Sequence, residues 1–273
     1  MLATALATLV AMEIAASPPR REAGSGVAPP PPPAQVLAAQ RALGARLPGL
    51  RSLRLVGTTV TGFNGVTGEP LTEQRPITVL VLLPNNYLWT EETSMFVRRY
   101  GFSGSTSLDS MRGTSNSFGQ MSAQTTAVGD SKTHFARLML GMLARVDTTQ
   151  APDGQNLFTV TSPTTVRVSG KADGIVDVDF DERSGLPIRV RYQTELRFPR
   201  SRPLTAEERK AGVPKPEPLQ PTEAALLFEE RTDVGGILFP MRIREVARGT
   251  TFRDTRFASV EVNPPLSIKD FAR

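Results

Sequence analysis

The sequence predicts a mainly β protein whose antiparallel sheet has one oily and one wet face. In GLPIRVRYQTELRF, Ile188, Val190, Tyr192, Leu196 and Phe198 share one parity, while Arg189, Arg191, Gln193, Glu195 and Arg197 take the other. That period of two is the mark of a half-buried strand. ILFPMRIRE repeats it, with Phe239, Met241 and Ile243 opposite Leu238, Arg242 and Arg244, and RFASVEVNPPLSIKDF ends the chain in a third such run. Turn signals at Asp153–Gly154, Asp173–Gly174 and Ser184–Gly185 separate the strands at hairpin spacing.

From the N-terminus, residues 1–17 form a short apolar stretch ending in Ala15, Ala16 and Ser17. This fits an export signal, although Glu13 interrupts it and no basic residue precedes it, and it is too short for a good membrane span. Residues 18–33 lack apolar periodicity and end in the prolines Pro29 to Pro33, which predicts a solvated linker. A single folded domain is expected over 34–273. It opens with a helix carrying Val36, Leu37 and Leu43 and stopped by Pro48–Gly49. A strand over 50–63 and an apolar run from Ile77 to Trp89 follow, whereas 102–129, rich in Ser, Gly, Thr and Gln, reads as loop or one irregular strand.

Phe135, Leu138, Met139, Met142, Leu143 and Val146 then recur at helical spacing, predicting an amphipathic helix over 131–146 capped by Asp130 or Ser131. Its oily stripe must lie on the apolar face of the sheet. Strands are expected at 156–162, 164–170, 174–182 and 187–198. A Pro- and charge-rich loop over 199–223 separates them from final strands at 224–233, 236–247 and 257–262.

Chemistry-bearing patterns are sparse. The formal charge of +5 comes from dispersed arginines, without the basic block and interleaved aromatics of a nucleic-acid groove. The absence of cysteine excludes disulfides, thiolate metal sites and cysteine nucleophiles. His134, the only histidine, lies in the helix with no serine motif beside it and reads as a helix-surface or capping residue. Asp177, Asp179 and Asp181 alternate with Val176, Val178 and Phe180, which places them on the wet face of a strand; calcium-loop spacing is lacking. The glycines of VGTTVTGFNG and GFSGSTS suit turns and lack a phosphate-cradling pattern. No cofactor, metal or catalytic residue is expected, so the chain reads as a non-enzyme. Tyr87 and Trp89 suit either a cavity mouth or its rim.

Two C-terminal motifs carry a resemblance: Gly236, Pro240, Arg242, Ile243 and Arg244 in a GxxxPxRIR strand, then Asn263, Pro264, Pro265, Leu266 and Phe271 in VNPPLxxxxF. With LAAQRALGARLPGLRSLRLVGT near the start, residues 34–273 resemble a divergent branch of the outer-membrane lipoprotein-sorting, or LolA-like, proteins. The resemblance implies an incomplete, strongly curved antiparallel β-barrel of about ten or eleven strands, covering helices, and an apolar interior for acyl chains. It implies a periplasmic, noncatalytic carrier or binder of lipids or lipidated proteins. The alternative is an envelope protein-interaction or sensor module on the same fold. Under the first reading the cavity is lined by Val79, Val81, Leu83, Phe135, Leu138, Met139, Met142, Ile188, Val190, Phe239, Met241 and Ile243, each of which also suits a filled core.

Overall fold

The computed structural model describes residues 31–61, 73–113, 128–146, 157–170, 174–196 and 220–271. The expected export signal and most of the linker lie outside them, as does most of the 199–223 segment. The described residues form twelve strands: β1 (Ser52–Thr61), β2 (Arg75–Leu82), β3 (Asn86–Glu92), β4 (Phe96–Ser103), β5 (Thr106–Gly113), β6 (Phe158–Ser162), β7 (Thr165–Gly170), β8 (Gly174–Phe180), β9 (Pro187–Leu196), β10 (Gln220–Val234), β11 (Ile237–Ala247) and β12 (Thr250–Val262). They make one antiparallel sheet in the order β5-β4-β3-β2-β1-β12-β11-β10-β9-β8-β7-β6. Two meanders, β1–β5 and β6–β12, are thus sealed by the pairing of β1 with β12, and the end strands β5 and β6 leave the barrel unclosed.

The mainly β, incomplete-barrel expectation holds, with more strands than expected. The Ile77–Trp89 run is a hairpin, β2 and β3, because the chain turns at Leu83–Pro84. The 102–129 segment contributes β5 and the end of β4. Their Ser, Thr and Gly content hid a hairpin at the edge of the sheet, whose ladder hydrogen bonds replace apolar alternation. The last strands are longer than their apolar cores: β10 starts at Gln220, inside the expected loop, and β12 at Thr250.

The two rims of the sheet differ. Short turns at 83–85, 104–105, 163–164, 181–186 and 235–236 share one rim; the connections across 62–74 and 197–219 leave from the other. Helix α1 (Ala34–Leu43) closes the short-turn rim by burying Val36, Ala39 and Leu43. The chain then passes so near the β10–β11 turn that a Cβ on Gly44, at φ 133, would lie 2.1 Å from the Gly236 carbonyl oxygen. Gly236 itself has φ 84, which explains the glycine that opens the GxxxPxRIR motif. Pro240 gives no N–H to the ladder, and β10 departs from regular geometry nearby at Glu230, φ 55.

The second motif is a clasp. Asn263, at φ 54, accepts hydrogen bonds through Oδ1 from the amides of Arg51 (2.7 Å) and Ser52 (3.3 Å) and donates from Nδ2 to the Gly49 carbonyl. The tail then packs Leu266 and the buried Phe271 with Leu80, Leu82, Leu88 and Leu108 in a small cluster separate from the main core. Charged residues dress the opposite, wet parity. Arg242 donates to Asp254 (2.9 Å), Arg244 to Glu229 (3.0 Å), Arg167 to Asp177 (2.8 Å), and Arg189 and Arg191 both to Asp179. Of the expected solvated aspartates, Asp177 and Asp179 are therefore cross-strand ion-pair partners, with Asp179 buried among its arginines, whereas Asp181 lies past the end of β8 and accepts hydrogen bonds from the amide and hydroxyl of Ser184. Phe271→Ala should lower the unfolding free energy by about 3 kcal/mol, as for a buried aromatic truncated to alanine. Breaking the half-exposed Arg256–Glu230 pair by Arg256→Ala should cost about 1 kcal/mol or less; urea denaturation of the two variants distinguishes these outcomes.

Candidate ligand site: the concave face beneath helix α2

The register of the sheet stacks the apolar parity into rows across neighbouring strands. Leu53, Val81, Tyr87 and Phe102 oppose one another in β1 to β4, and Leu55, Val79, Trp89 and Tyr100 form the adjacent row. In the other meander Val166, Val178, Val190 and Leu226 continue the surface. Helix α2 (Val128–Leu143) lies over both halves, against β4, β5 and β8 to β11. It begins at Val128, two residues before Asp130 and three before Ser131, so both expected caps fall within its first turn. Phe135 sets its ring 5.3 Å from that of Tyr87 and 5.4 Å from that of Phe102. At Gly141 the helix approaches β10 so closely that a Cβ would lie 2.0 Å from the Phe228 ring.

Eleven of the twelve predicted lining residues meet in this core. Val79, Val81, Phe135, Leu138, Met139, Met142, Val190, Phe239 and Ile243 are buried in it, and Leu83 and Met241 pack against it partly buried. Ile188 does not: it is 43% exposed. The register shift between Asp179 and Phe180, where Phe180 pairs with Pro187, breaks the alternation that would have carried Ile188 inward.

The rows change character along the strands. Towards the long-loop rim the Val190–Leu226 row runs into Glu245 and then Arg253, and the buried residues there include Thr59, Glu91 and Thr255. Arg253 donates to Glu245 at 2.8 Å, Arg75 to Glu91 at 2.7 Å, and the Thr59 and Thr255 hydroxyls are 3.0 Å apart. The guanidinium of Arg253 lies 5.8 Å from the centroid of the Trp89 ring, which stacks on Tyr100 at 5.9 Å. Burial pushes the Glu245 carboxyl up, but the Arg253 charge and the His134 hydrogen bond outweigh it and hold the group down at about 2. Burial raises the Tyr100 hydroxyl to about 12, so it stays protonated at neutral pH.

His134 belongs to this corner and is no surface residue. Its ring is 3.3 Å from the Tyr87 hydroxyl through Nδ1 and 3.3 Å from Glu245 through Nε2, joining α2 to β3 and β11. Two further polar ties hold the helix. The Arg137 guanidinium lies 3.8 Å from the centroid of the Tyr192 ring. At the helix C-terminus, Arg231 donates to the carbonyls of Gly141 (3.0 Å) and Met142 (3.4 Å), and also to that of Pro187 (2.6 Å). A cation at a helix C-terminus satisfies its open carbonyls and favours the dipole. Burial lowers this guanidinium to about 10, leaving it charged at neutral pH.

These polar positions had a signal in the sequence. Glu245 has the same parity as Phe239, Met241 and Ile243, and Glu91 the same parity as Tyr87 and Trp89. A carboxylate in phase with the oily face of a strand has to find a buried partner. Because the Glu245 carboxyl is depressed from its ordinary 4.5, its contribution to stability is complete above that value and lost as pH falls towards 2. Glu245→Gln should therefore be less stable than the parent at pH 7, by about 3 kcal/mol if Arg253 is left uncompensated, and should lose less stability between pH 5 and pH 3. Denaturant titrations at the three pH values read both effects.

No family model matches the chain, and no curated protein matches its sequence. Among solved structures it is similar to a domain described as an outer membrane lipoprotein-sorting protein from Vibrio parahaemolyticus, at 9% identity and TM-score 0.43, covering 87% of this chain and 94% of that one. It is also similar to a LolA superfamily protein from Nitrosomonas europaea, at 11% identity and TM-score 0.41, covering 88% and 96%. A DUF1329 family protein from Desulfovibrio piger is similar at 11% identity and TM-score 0.43, with the same two coverages.

Proposed function

We propose that this protein is a noncatalytic binder or carrier of lipids or lipidated proteins in the bacterial periplasm, and that the ligand's acyl chain occupies the concave face when α2 lifts. The observation that carries the reading is the gradient on that face. It is apolar from the α1 end to its middle and polar at the long-loop rim, which is the complement of an amphiphile. Each methylene buried there would contribute roughly 0.8 kcal/mol. The side chains that α2 inserts, among them Met139 and Met142, are flexible enough to repack around a chain. The apolar stretch over residues 1–17 supports export. No helix among the described residues is long and apolar enough to cross a membrane.

An interaction module on the same fold would present its arginine-rich outer face to a partner. Arg167, Arg189, Arg191, Arg242, Arg244 and Arg256 all have carboxylate partners within the sheet, and a face neutralised in this way has little charge to offer a partner.

Protein purified from a bacterial envelope should carry an acylated molecule in native mass spectrometry, or bind added acyl lipids and gain thermal stability in proportion to their occupancy. An empty protein that takes up no lipid would contradict the proposal. Gly141→Ala should press on the Phe228 ring, weaken the seat of α2, and raise uptake of an acyl probe several-fold while lowering Tm by a few degrees. A variant that loses stability without gaining uptake would show that α2 is fixed core.

A further inference from the structure

The polar corner holds more donors than it uses. Trp89 and Tyr100 are 3% and 9% exposed, yet Trp89 Nε1 and the Tyr100 hydroxyl find no hydrogen-bond partner, and neither does the buried Nε of Arg253. A buried donor without an acceptor forfeits its hydration without compensation, so three in one place call for a function. They are neighbours: Trp89 and Tyr100 oppose one another across β3 and β4, and the Arg253 guanidinium lies beside the Trp89 ring. The formal charges around them balance: Arg253 pairs with Glu245 and Arg75 with Glu91, and the Arg98 guanidinium, 5.2 Å from the centroid of the Tyr100 ring, is matched by the carboxylate of Asp109, which opposes Tyr100 on β5. What these three donors lack is an acceptor, and a further full charge buried there would be uncompensated.

Resting on the lipid-binding reading, we infer that the corner recognises the uncharged carbonyl by which an acyl chain is joined to its head group. Trp89 Nε1, the Tyr100 hydroxyl and Arg253 Nε supply the donors. From this point a chain directed towards α1 passes over Val79, Leu55, Val81 and Leu53, the two apolar rows that meet Trp89 and Tyr87. The ligand class is therefore an acyl ester or amide, in preference to a free fatty acid, whose carboxylate would bring the uncompensated charge. Because α2 packs over this end of the sheet through His134 and Phe135, the carbonyl reaches its donors when the helix lifts and is sealed from water when it returns.

Trp89 is the only tryptophan in the chain, so its emission reports on the corner alone. The test titrates the full chain with 1-lauroylglycerol, with the matching 1-O-dodecylglycerol ether, which lacks the carbonyl, and with laurate. The expected result is that the ester binds about tenfold more tightly than the ether, the value of roughly one hydrogen bond, and more tightly than laurate, with a shift in Trp89 emission that the ether does not produce. In Tyr100→Phe the advantage of ester over ether should shrink several-fold while ether binding stays unchanged. Should that variant fail to fold, the ester-to-ether ratio in the parent chain still decides. Equal binding of ester and ether, or tighter binding of laurate, would overturn the carbonyl site while leaving lipid binding intact. Uptake of none of the three would overturn both.

Discussion

An unclosed sheet of twelve strands has a whole oily face to hide, and the described residues provide two α-helices for it. Curvature solves most of the problem, because a strongly curved sheet turns much of its apolar face towards itself. Helix α1 closes one end, and α2 fills the remaining span between the two meanders. The close approaches at Gly44 and Gly141 follow from this demand, since each lets a helix or its exit sit against backbone or ring without an intervening side chain. The Asn263 clasp ties the chain's tail to the β1 entry, where the two meanders are sealed together, and Phe271 anchors its last turn on Leu80, Leu82, Leu88 and Leu108 of β2, β3 and β5.

That economy leaves α2 holding the interior shut by a mixture of contacts. An oily stripe gives area without direction, and the polar ties through His134, Arg137 and Arg231 give position. A helix held in this way differs from a plain core helix, because the surface beneath it combines deep apolar rows with a charge-balanced polar end. A protein that needed only a filled core would gain little from burying Glu245, Glu91, Arg75 and Arg253, since replacing such pairs by apolar residues is often neutral or stabilising. Retention of these groups on the same face as the apolar rows fits the proposed reversible site for an amphiphile.

How much of this was legible depended on which forces wrote it into the sequence. Strands β7 to β11 declare themselves because each exposes one face and buries the other, so Val176, Val178, Val190 and Ile243 were readable from parity alone. Strands β4 and β5 were not, since Ser, Thr and Gly in an edge hairpin owe their place to pairing. Ile188 was misplaced because a bulge shifts the phase without changing the residue pattern before it. His134 was read as a surface residue because its partners, Tyr87 and Glu245, lie 47 and 111 positions away; no local pattern joins them. The glycines and Asn263 of the C-terminal motifs were visible as a pattern, while their reasons, positive φ and backbone contact, are three-dimensional.

The central claim, that α2 is a movable cover over an acyl-binding face, is most directly tested by following one distance while ligand binds. The chain has one tryptophan and no cysteine, so Lys132→Cys on α2 can carry a single acceptor dye paired with Trp89 as donor. The account predicts that energy transfer falls as an acyl lipid saturates the protein and returns to its starting value when the lipid is removed. Stoichiometric lipid binding with unchanged transfer would show that the helix stays in place and that the chain enters elsewhere.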